Sequence, residues 1–374
     1  MSVTEKKQTT KKRKSIRELF DLMPEWEASD LHLKAGSPPI YRVAGKLRRT
    51  KAAPLSEDDI EDMVFGFLSE RQAETLREKG HVDMGYDISA GRVRVNAFYQ
   101  RGKLGLVGRL IETEIPSLES LNLPPQLSKV IEYSQGLVLV CGVTGSGKST
   151  TLASLLDMVN RTYQEHILTI EDPIEFLHDD KKCIVNQREM GLDCHDWPEA
   201  LAAAMREDPD VILVGEMRDT ETFQAALTAS ETGHLVFGTM HTSSAAGTIP
   251  RILDLFPTSK HALIRQSLAK NLNAIIGQKL LPSCAEDVAR VPVVEYMIKN
   301  PSIRKAIEEA NYEQITGLIA EGENEGMITW TKSFVDMINA DLIDKRTAKR
   351  YAPNAEKVEM ALKGIEVSTS TLNE

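Results

Sequence analysis

Hydrophobic residues recur with two different periods along this chain, and the changes of period mark its elements. From Ser15, the positions Ile16, Leu19, Phe20, Leu22 and Met23 recur as one face of a helix. The period then shortens to two, with Leu31 and Leu33 alternating with Asp30, His32 and Lys34, which reads as a half-buried strand. Ser37-Pro38-Pro39 interrupts it, and 40–43 begins another strand that turns at Ala44-Gly45. Ser56 followed by Asp59 is a helix start, with Ile60, Met63, Val64 and Phe67 on one face, and Ser69 starts a second helix ending near Gly80. Stretches 84–88, 92–100 and 103–110 read as antiparallel strands separated by glycines. Residues 15–112 therefore predict an α+β domain on a mostly antiparallel sheet.

Past a connector at 113–123, flanked by Pro116, Pro124 and Pro125, the pattern changes. Short apolar runs starting at Leu137, Ile167, Val211 and Leu235 alternate with helical patterns, as in a doubly wound α/β domain with a mainly parallel sheet over 124–364. After about Pro282 the pattern is mostly helical to Gly364, and 365–374 is a polar tail. Residues 1–14 are lysine-rich and without period, a solvated and disordered tail or a weak attractant for anionic lipid.

Composition narrows the class. The 374 residues suffice for two cores, and 41% hydrophobic with 27% charged residues is the balance of a soluble globular protein. No apolar run approaches the roughly 18 residues that cross a bilayer, and the basic start carries no signal-peptide core, so a cytoplasmic protein is expected. Cys141, Cys183, Cys194 and Cys284 form no Cys-x-x-Cys pair, which disfavours a zinc ribbon or redox couple. The formal net charge of −10 speaks against a nucleic-acid partner.

The candidate chemistry centres on LVLVCGVTGSGKSTTLASLLDMVNRT at 137–162, an apolar run, a glycine-rich turn and a helical pattern. Gly142-x-x-x-x-Gly147-Lys148-Ser149 has the full P-loop spacing. Its backbone N–H groups, from Gly142 through Thr144, Gly145, Ser146 and Gly147 into Thr150, are placed to converge on phosphate oxygens. Lys148 would reach the β- and γ-phosphates and the Ser149 hydroxyl would ligate Mg²⁺, so ATP and Mg²⁺ are the expected cofactors. In TIEDPIEF, Glu171, Asp172 and Glu175 follow a strand end, where carboxylates hold Mg²⁺ through water, orient an attacking water, or form only a solvated acidic turn. DVILVGEMRD places Glu216 just past a buried strand, the Walker B layout, which makes it a second Mg²⁺ candidate. Asp210 reads as a cap or turn residue, and Arg218–Asp219 as an exposed pair or something more. His234 precedes and His241 ends the strand of TGHLVFGTMHTSSA, near the same sheet edge, as structural or functional residues. Arg92 and Arg94 share a strand face, with Arg101 and Arg109 nearby, either as surface charges or as arginine fingers toward phosphate.

Taken together, GVTGSGKST, TIEDPIEF, DVILVGEMRD and TGHLVFGTMHTSSA resemble, in order, the Walker A, Asp box, Walker B and His box of the PilT family of type IV pilus retraction ATPases, within the secretion ATPase superfamily. The resemblance runs from ASDLHLKAGSPPIYRVAGKL to PVVEYMIKNPSIRKAI. It implies a PAS-like N-terminal domain, a RecA-like ATPase domain with a helical C-terminal region, and assembly into a homo-hexamer. By motif position it implies Glu175 as water activator, Glu216 as the Walker B acid, His234 and His241 as the His-box pair, and Arg92, Arg94 and Arg109 as residues reaching the nucleotide. It further implies a site at the inner membrane at the pilus base, a platform protein there, and a paralogous ATPase as possible partner.

Two departures stand out. The family's AIRNLIRE reads SIRKAIEE at 302–309, matching at Ile303, Arg304, Ile307 and Glu309, and the chain continues with APNAEKVEMALKGIEVSTSTLNE, as PilU-like paralogues do. An accessory PilU-like motor, an assembly or type II secretion ATPase, a non-catalytic ATP-binding partner and a DNA translocase are the alternatives. The absent tetracysteine motif disfavours the assembly and secretion ATPases.

Overall fold

Side-chain caps decide where the first helices begin. The computed structural model describes residues 14–89, 91–111 and 114–365, so most of the basic tail and the last residues of the polar tail lie outside the described residues. The chain forms two compact units, Met1–Thr113 and Glu114–Glu374. In the first, α1 (Ile16–Glu25) starts at a capping box between Ser15 and Glu18. Strands β1 (Ala28–Lys34), β2 (Ile40–Val43) and β3 (Lys46–Arg49) follow. Capping boxes Ser56–Asp59 and Ser69–Gln72 then start α2 (Glu57–Phe65) and α3 (Glu70–Lys79). Each box satisfies two backbone donors that the helix end leaves without partners, worth about 1 kcal/mol. Strands β4 (His81–Ile88), β5 (Gly91–Gln100) and β6 (Lys103–Ile111) complete an antiparallel sheet of order β3-β2-β1-β6-β5-β4.

One face of this sheet carries Leu31, Leu33, Val93, Val95, Leu104 and Leu106 into a core with Ile16, Phe20, Ile60 and Leu76 from the helices. Gly108 lets that core close, since a Cβ there would sit 2.3 Å from the Phe20 ring. The other face carries a polar row across the strands, in which Arg42 faces Asp30, Asp30 faces Arg109, Arg109 faces Arg94 and Arg94 faces Gly85. Alternation expects Asp30 on a polar face, yet it is only 2% exposed. The Arg109 guanidinium, at 2.8 Å, and that of Arg42, at 3.3 Å, cover it.

The second unit is built on a seven-stranded sheet of order β13-β12-β7-β11-β10-β8-β9. Its elements in chain order are β7 (Gly136–Cys141), α4 (Lys148–Thr162), β8 (His166–Glu171), β9 (Ile184–Glu189), α5 (Trp197–Ala204), β10 (Val211–Val214), α6 (Thr220–Glu231) and β11 (Leu235–Met240). They continue as α7 (Ala245–Leu253), α8 (His261–Asn271), β12 (Leu272–Pro282), β13 (Arg290–Ile298) and α9 (Pro301–Glu308). Helices α10 (Ile315–Glu321), α11 (Trp330–Asn339), α12 (Lys345–Tyr351) and α13 (Ala355–Leu362) end the described chain. All sheet pairings are parallel except β12 with β13.

Strand β7 shows why this sheet reads as an unbroken apolar run. Leu137, Leu139 and Cys141 enter one core, while Val138 and Val140 enter another on the opposite face. Both faces are covered, and each fully buried aliphatic side chain contributes about 1.5–3 kcal/mol. The stretch read as a connector adds Leu118 and Leu123 to the second of these cores. Strands β9, β12 and β13 are absent from the sequence reading. The region after Pro282 is thus not helical from its start, because β13 lies across β12 before α9 begins. Among the described residues, no helix is long and apolar enough to cross a membrane.

Candidate active site

Strand register brings the motif loops to one edge. Cys141 pairs with Met240, Gly238 with Val214, and Val214 with Ile170. Gly142, His241, Gly215 and Glu171 therefore leave four neighbouring parallel strands at their C-terminal ends, each strand about 4.8 Å from the next. Ligands of open α/β sheets bind along such an edge.

The P-loop follows β7, at one end of this row of four. Gly147 has φ 86° and is the N-cap of α4, with no side chain capping the helix. The first-turn amides of α4 are thus left for an anion, and the helix dipole favours one there. Val143, Thr144 and Gly145 are exposed, Ser146 is buried, and Ser149 and Thr150 are half-buried in the first turn. Lys148 folds back, its Nζ donating to the carbonyls of Gly142 at 2.9 Å and Val143 at 3.3 Å. Burial lowers its pKa, while Glu216 and Glu175 pull the other way.

Glu216 follows β10 at a crossing of two strands. The Gly215 amide donates to the Ile170 carbonyl at 2.8 Å, and the Thr239 hydroxyl donates to the Gly215 carbonyl at 2.6 Å. The Glu216 carboxylate thereby meets His241 Nε2 at 2.6 Å and also pairs with Arg218. Burial pushes its pKa up, but Arg218 and His241 outweigh burial and hold it below the usual carboxylate value. Arg218 and Asp219 do not form the exposed pair considered above. Asp219 caps α6, accepting from the Thr222 amide at 2.8 Å, and Arg218 belongs to Glu216. Asp210 accepts from the His166 amide at 2.8 Å and so ties β8 to β10.

The Asp-box carboxylates separate into different tasks. Glu171 turns inward, accepting from the Thr169 hydroxyl at 2.7 Å and Gln187 Nε2 at 3.1 Å. Burial pushes its pKa up to about 7 against those hydrogen bonds and one from the Glu175 amide. It braces the loop that presents Glu175, which is exposed and close enough to act on Lys148. The Asp172–Pro173 bond within this loop is cis.

His234 corrects the expectation that both histidines share one edge. It sits before β11 while His241 follows it, so the two lie at opposite ends of a six-residue strand, roughly 20 Å apart. His234 Nδ1 lies 2.9 Å from the Ala229 carbonyl, and the His234 carbonyl accepts from Gly136 at the start of β7. In the first unit, Arg94 is exposed, Arg101 occupies the turn between β5 and β6, and Arg109 holds Asp30. Arg92 is buried, paired with Asp87 at 2.6 Å, its guanidinium lying in the space where Gly85 lacks a side chain.

Residues 109–336 match the family described as type II/IV secretion system protein. The chain is 44% identical over 338 residues to the type IV pilus retraction ATPase PilT of Pseudomonas aeruginosa, covering 90% of this chain and 98% of that protein. It belongs to the PilT family of secretion ATPases. A crystal structure of the pilus retraction motor PilT with bound ADP superimposes with a TM-score of 0.85 at 41% identity, covering 93% of this chain and 99% of that one. The type IV pilus ATPase PilU of Pseudomonas aeruginosa is 36% identical, over 93% of this chain and 91% of that protein. The fold is accordingly the α/β secretion ATPase fold, and the chain is an ATPase.

Two buried polar residues of this PilT-family site lie outside the motifs. Gln278 on β12 bonds the P-loop at the Ser146 carbonyl and the first turn of α4 at the Thr151 hydroxyl, and Glu295 on β13 accepts from the Ala245 amide at the start of α7. The one sequence signal for either is a polar residue within an apolar run, LNAIIGQKLLP and PVVEYMI.

Proposed function

We propose that this ATPase powers type IV pilus retraction as a homo-hexamer, with ATP held between subunits. What carries the reading is near-full-length likeness to a retraction ATPase together with an intact site, in which P-loop, Glu216–His241 pair and Glu175 share one sheet edge. The loop amides from Gly142 to Thr150 take the phosphates, and Lys148 leaves its own loop carbonyls for the β- and γ-phosphates. The uncapped start of α4 fits that anion, and the Ser149 hydroxyl and Glu216 carboxylate are the hard oxygen donors Mg²⁺ prefers. Among the described residues no cluster of three His, Cys, Asp or Glu forms a metal cage, which suits an ion that relies on phosphate and water for its other ligands. Mg²⁺ would neutralise charge on the phosphates. Glu175 accepts a proton as water attacks the γ-phosphorus and the bond to the β–γ bridging oxygen breaks.

Arg92, Arg94 and Arg109 would approach the nucleotide from a neighbouring subunit, and His234 has no task at the site of its own chain. The motor would act in the cytoplasm at the inner membrane, against a platform protein of the pilus base and beside any paralogous ATPase. An accessory PilU-like motor is the second reading, since PilU also matches along most of the chain, at 36% identity over 351 residues. Phosphate release by the purified chain and twitching in a strain carrying it alone test both. Turnover with twitching supports the principal motor; turnover with twitching only beside a second motor supports the accessory one; no turnover refutes both. Mixing Lys148→Ala with Arg109→Ala subunits tests the shared site, since mixed interfaces should recover activity that neither variant has alone.

A further inference from the structure

The hairpin β12–β13 lies outside the four motifs, yet two of its buried polar side chains, Gln278 and Glu295, end on the nucleotide-site segments, while a third, Asn273, bonds the Gln135 carbonyl before β7. Gln278 is 3% exposed in the mostly apolar strand β12. Its Nε2 donates to the Ser146 carbonyl at 2.8 Å, and its Oε1 accepts from the Thr151 hydroxyl at 2.7 Å. One amide thereby joins the crest of the P-loop to the first turn of α4. The loop is moulded onto this residue, because a Cβ on Gly142 would lie 2.4 Å from the Gln278 carbonyl oxygen and one on Gly147 would lie 2.9 Å from Nε2. On the paired strand Gln278 faces Val294, and the next residue, Glu295, is equally buried. Glu295 accepts from the Ala245 amide at 2.6 Å, fixing the start of α7 four residues after His241. Thr242 and Thr248, whose hydroxyls lie 2.7 Å apart, tie the intervening turn to the same helix.

We propose that Gln278 and Glu295 are positioning residues through which one β-hairpin holds both sides of the nucleotide site, Gln278 setting the P-loop and Glu295 setting the loop that carries His241. This rests on the ATPase reading, but ADP binding tests its first half independently of turnover. The two contacts serve different steps. Losing Gln278 leaves a phosphate cradle whose amides are no longer fixed, which weakens ground-state binding of ADP and ATP alike. Losing Glu295 frees His241 relative to Glu216, which affects the step that needs Glu216 and spares binding. The hairpin also runs through Asn300 into α9, so the frame of the site is continuous with the SIRKAIEE helix.

The test uses the full chain, titrated with a fluorescent ADP analogue and assayed for phosphate release. Gln278→Met keeps an unbranched side chain without the amide and should weaken ADP binding about tenfold, as expected for two lost buried hydrogen bonds. Thr151→Val should weaken it about threefold, and the double variant should be no weaker than Gln278→Met, because both remove the same bond. Glu295→Ala should lower kcat about tenfold with KM within about twofold, and Glu295→Gln, which retains an acceptor, should recover most of that loss. ADP affinity unchanged in Gln278→Met, with or without a lower melting temperature, would overturn the P-loop assignment, as would full additivity with Thr151→Val. Glu295→Ala with normal kcat, or Glu295→Gln as impaired as Glu295→Ala, would overturn the second half.

Discussion

Helix α9 separates mechanical output from stability within eight residues, and two substitutions one turn apart test the separation. Ile303 and Ile307 are fully buried in the main core, whereas the Arg304 side chain is 58% exposed and, among the described residues, bonds across one turn to Glu308 at 2.8 Å. Such an exposed i,i+4 pair is worth about 0.3–0.5 kcal/mol, and alanine is itself a strong helix former. Arg304→Ala should therefore shift the melting temperature by no more than about 2 °C. Ile307→Ala removes a buried aliphatic side chain and leaves a cavity, at a cost of about 2–5 kcal/mol and a drop of roughly 5–15 °C. If the segment transmits work, Arg304→Ala keeps phosphate release near the native rate while twitching falls by an order of magnitude. Ile307→Ala, by contrast, loses turnover, stability and motility together. The assays are a thermal melt, phosphate release by the purified chain, and colony spreading of a strain that carries only the variant. Normal spreading with Arg304→Ala would reduce α9 to a packing helix, and loss of turnover with that variant would assign Arg304 to the ATPase itself.

Three further outcomes follow from the same geometry. Lys148→Ala and Glu216→Gln should both reduce turnover at least a hundredfold, but only Lys148→Ala should weaken ATP binding in a filter assay, because Lys148 meets phosphate in the ground state. Glu171 and Glu295 have native pKa values raised from about 4.5 to about 7, so between pH 4.5 and 7 the native state holds more protons than the unfolded chain and stability falls as pH rises. Each group contributes up to about 3 kcal/mol to that fall, so the urea midpoint should drop from pH 5 to pH 8 and drop less in Glu295→Gln, and equal drops would refute it. Gly85→Ala should lower ATPase activity, because its new methyl would displace the buried Arg92 guanidinium that fills this space and disturb its pair with Asp87; unchanged turnover would remove Arg92 from the chemistry.

What the sequence made legible was chemistry that is local. The helix starts at Ser15, Ser56 and Ser69, the strand, turn and helix of 137–162 and the turn after the strand at 211–214 each need only residues within a few positions, and each lies where the pattern put it. Periodicity is also local, and that is where it ran out. In LNAIIGQKLLP both strand faces are buried, so no period of two remains to separate β12 from the helix before it, and β13 was lost with it. A period of two assigns Asp30 to a face without revealing that two arginines cover that face. Two histidines seven residues apart look neighbourly in a sequence, but an extended strand between them makes that spacing a separation across the sheet. The same reasoning explains why Gln278 and Glu295 escaped notice. Each touches a helix start 50 or more residues away in sequence, 127 for Thr151 and 50 for Ala245, and only the completed sheet brings those partners within hydrogen-bond reach. A buried polar residue inside an apolar strand must find a partner or cost the fold more than about 1 kcal/mol. Near the C-terminal ends of the parallel strands Gln278 finds its partners in the P-loop and α4, whereas Asn273, at the other end of β12, bonds the Gln135 carbonyl. In this sheet a buried polar residue therefore points toward the site when it lies at the strand end that carries the loops, as Gln278 does, and away from it at the other end, as Asn273 does.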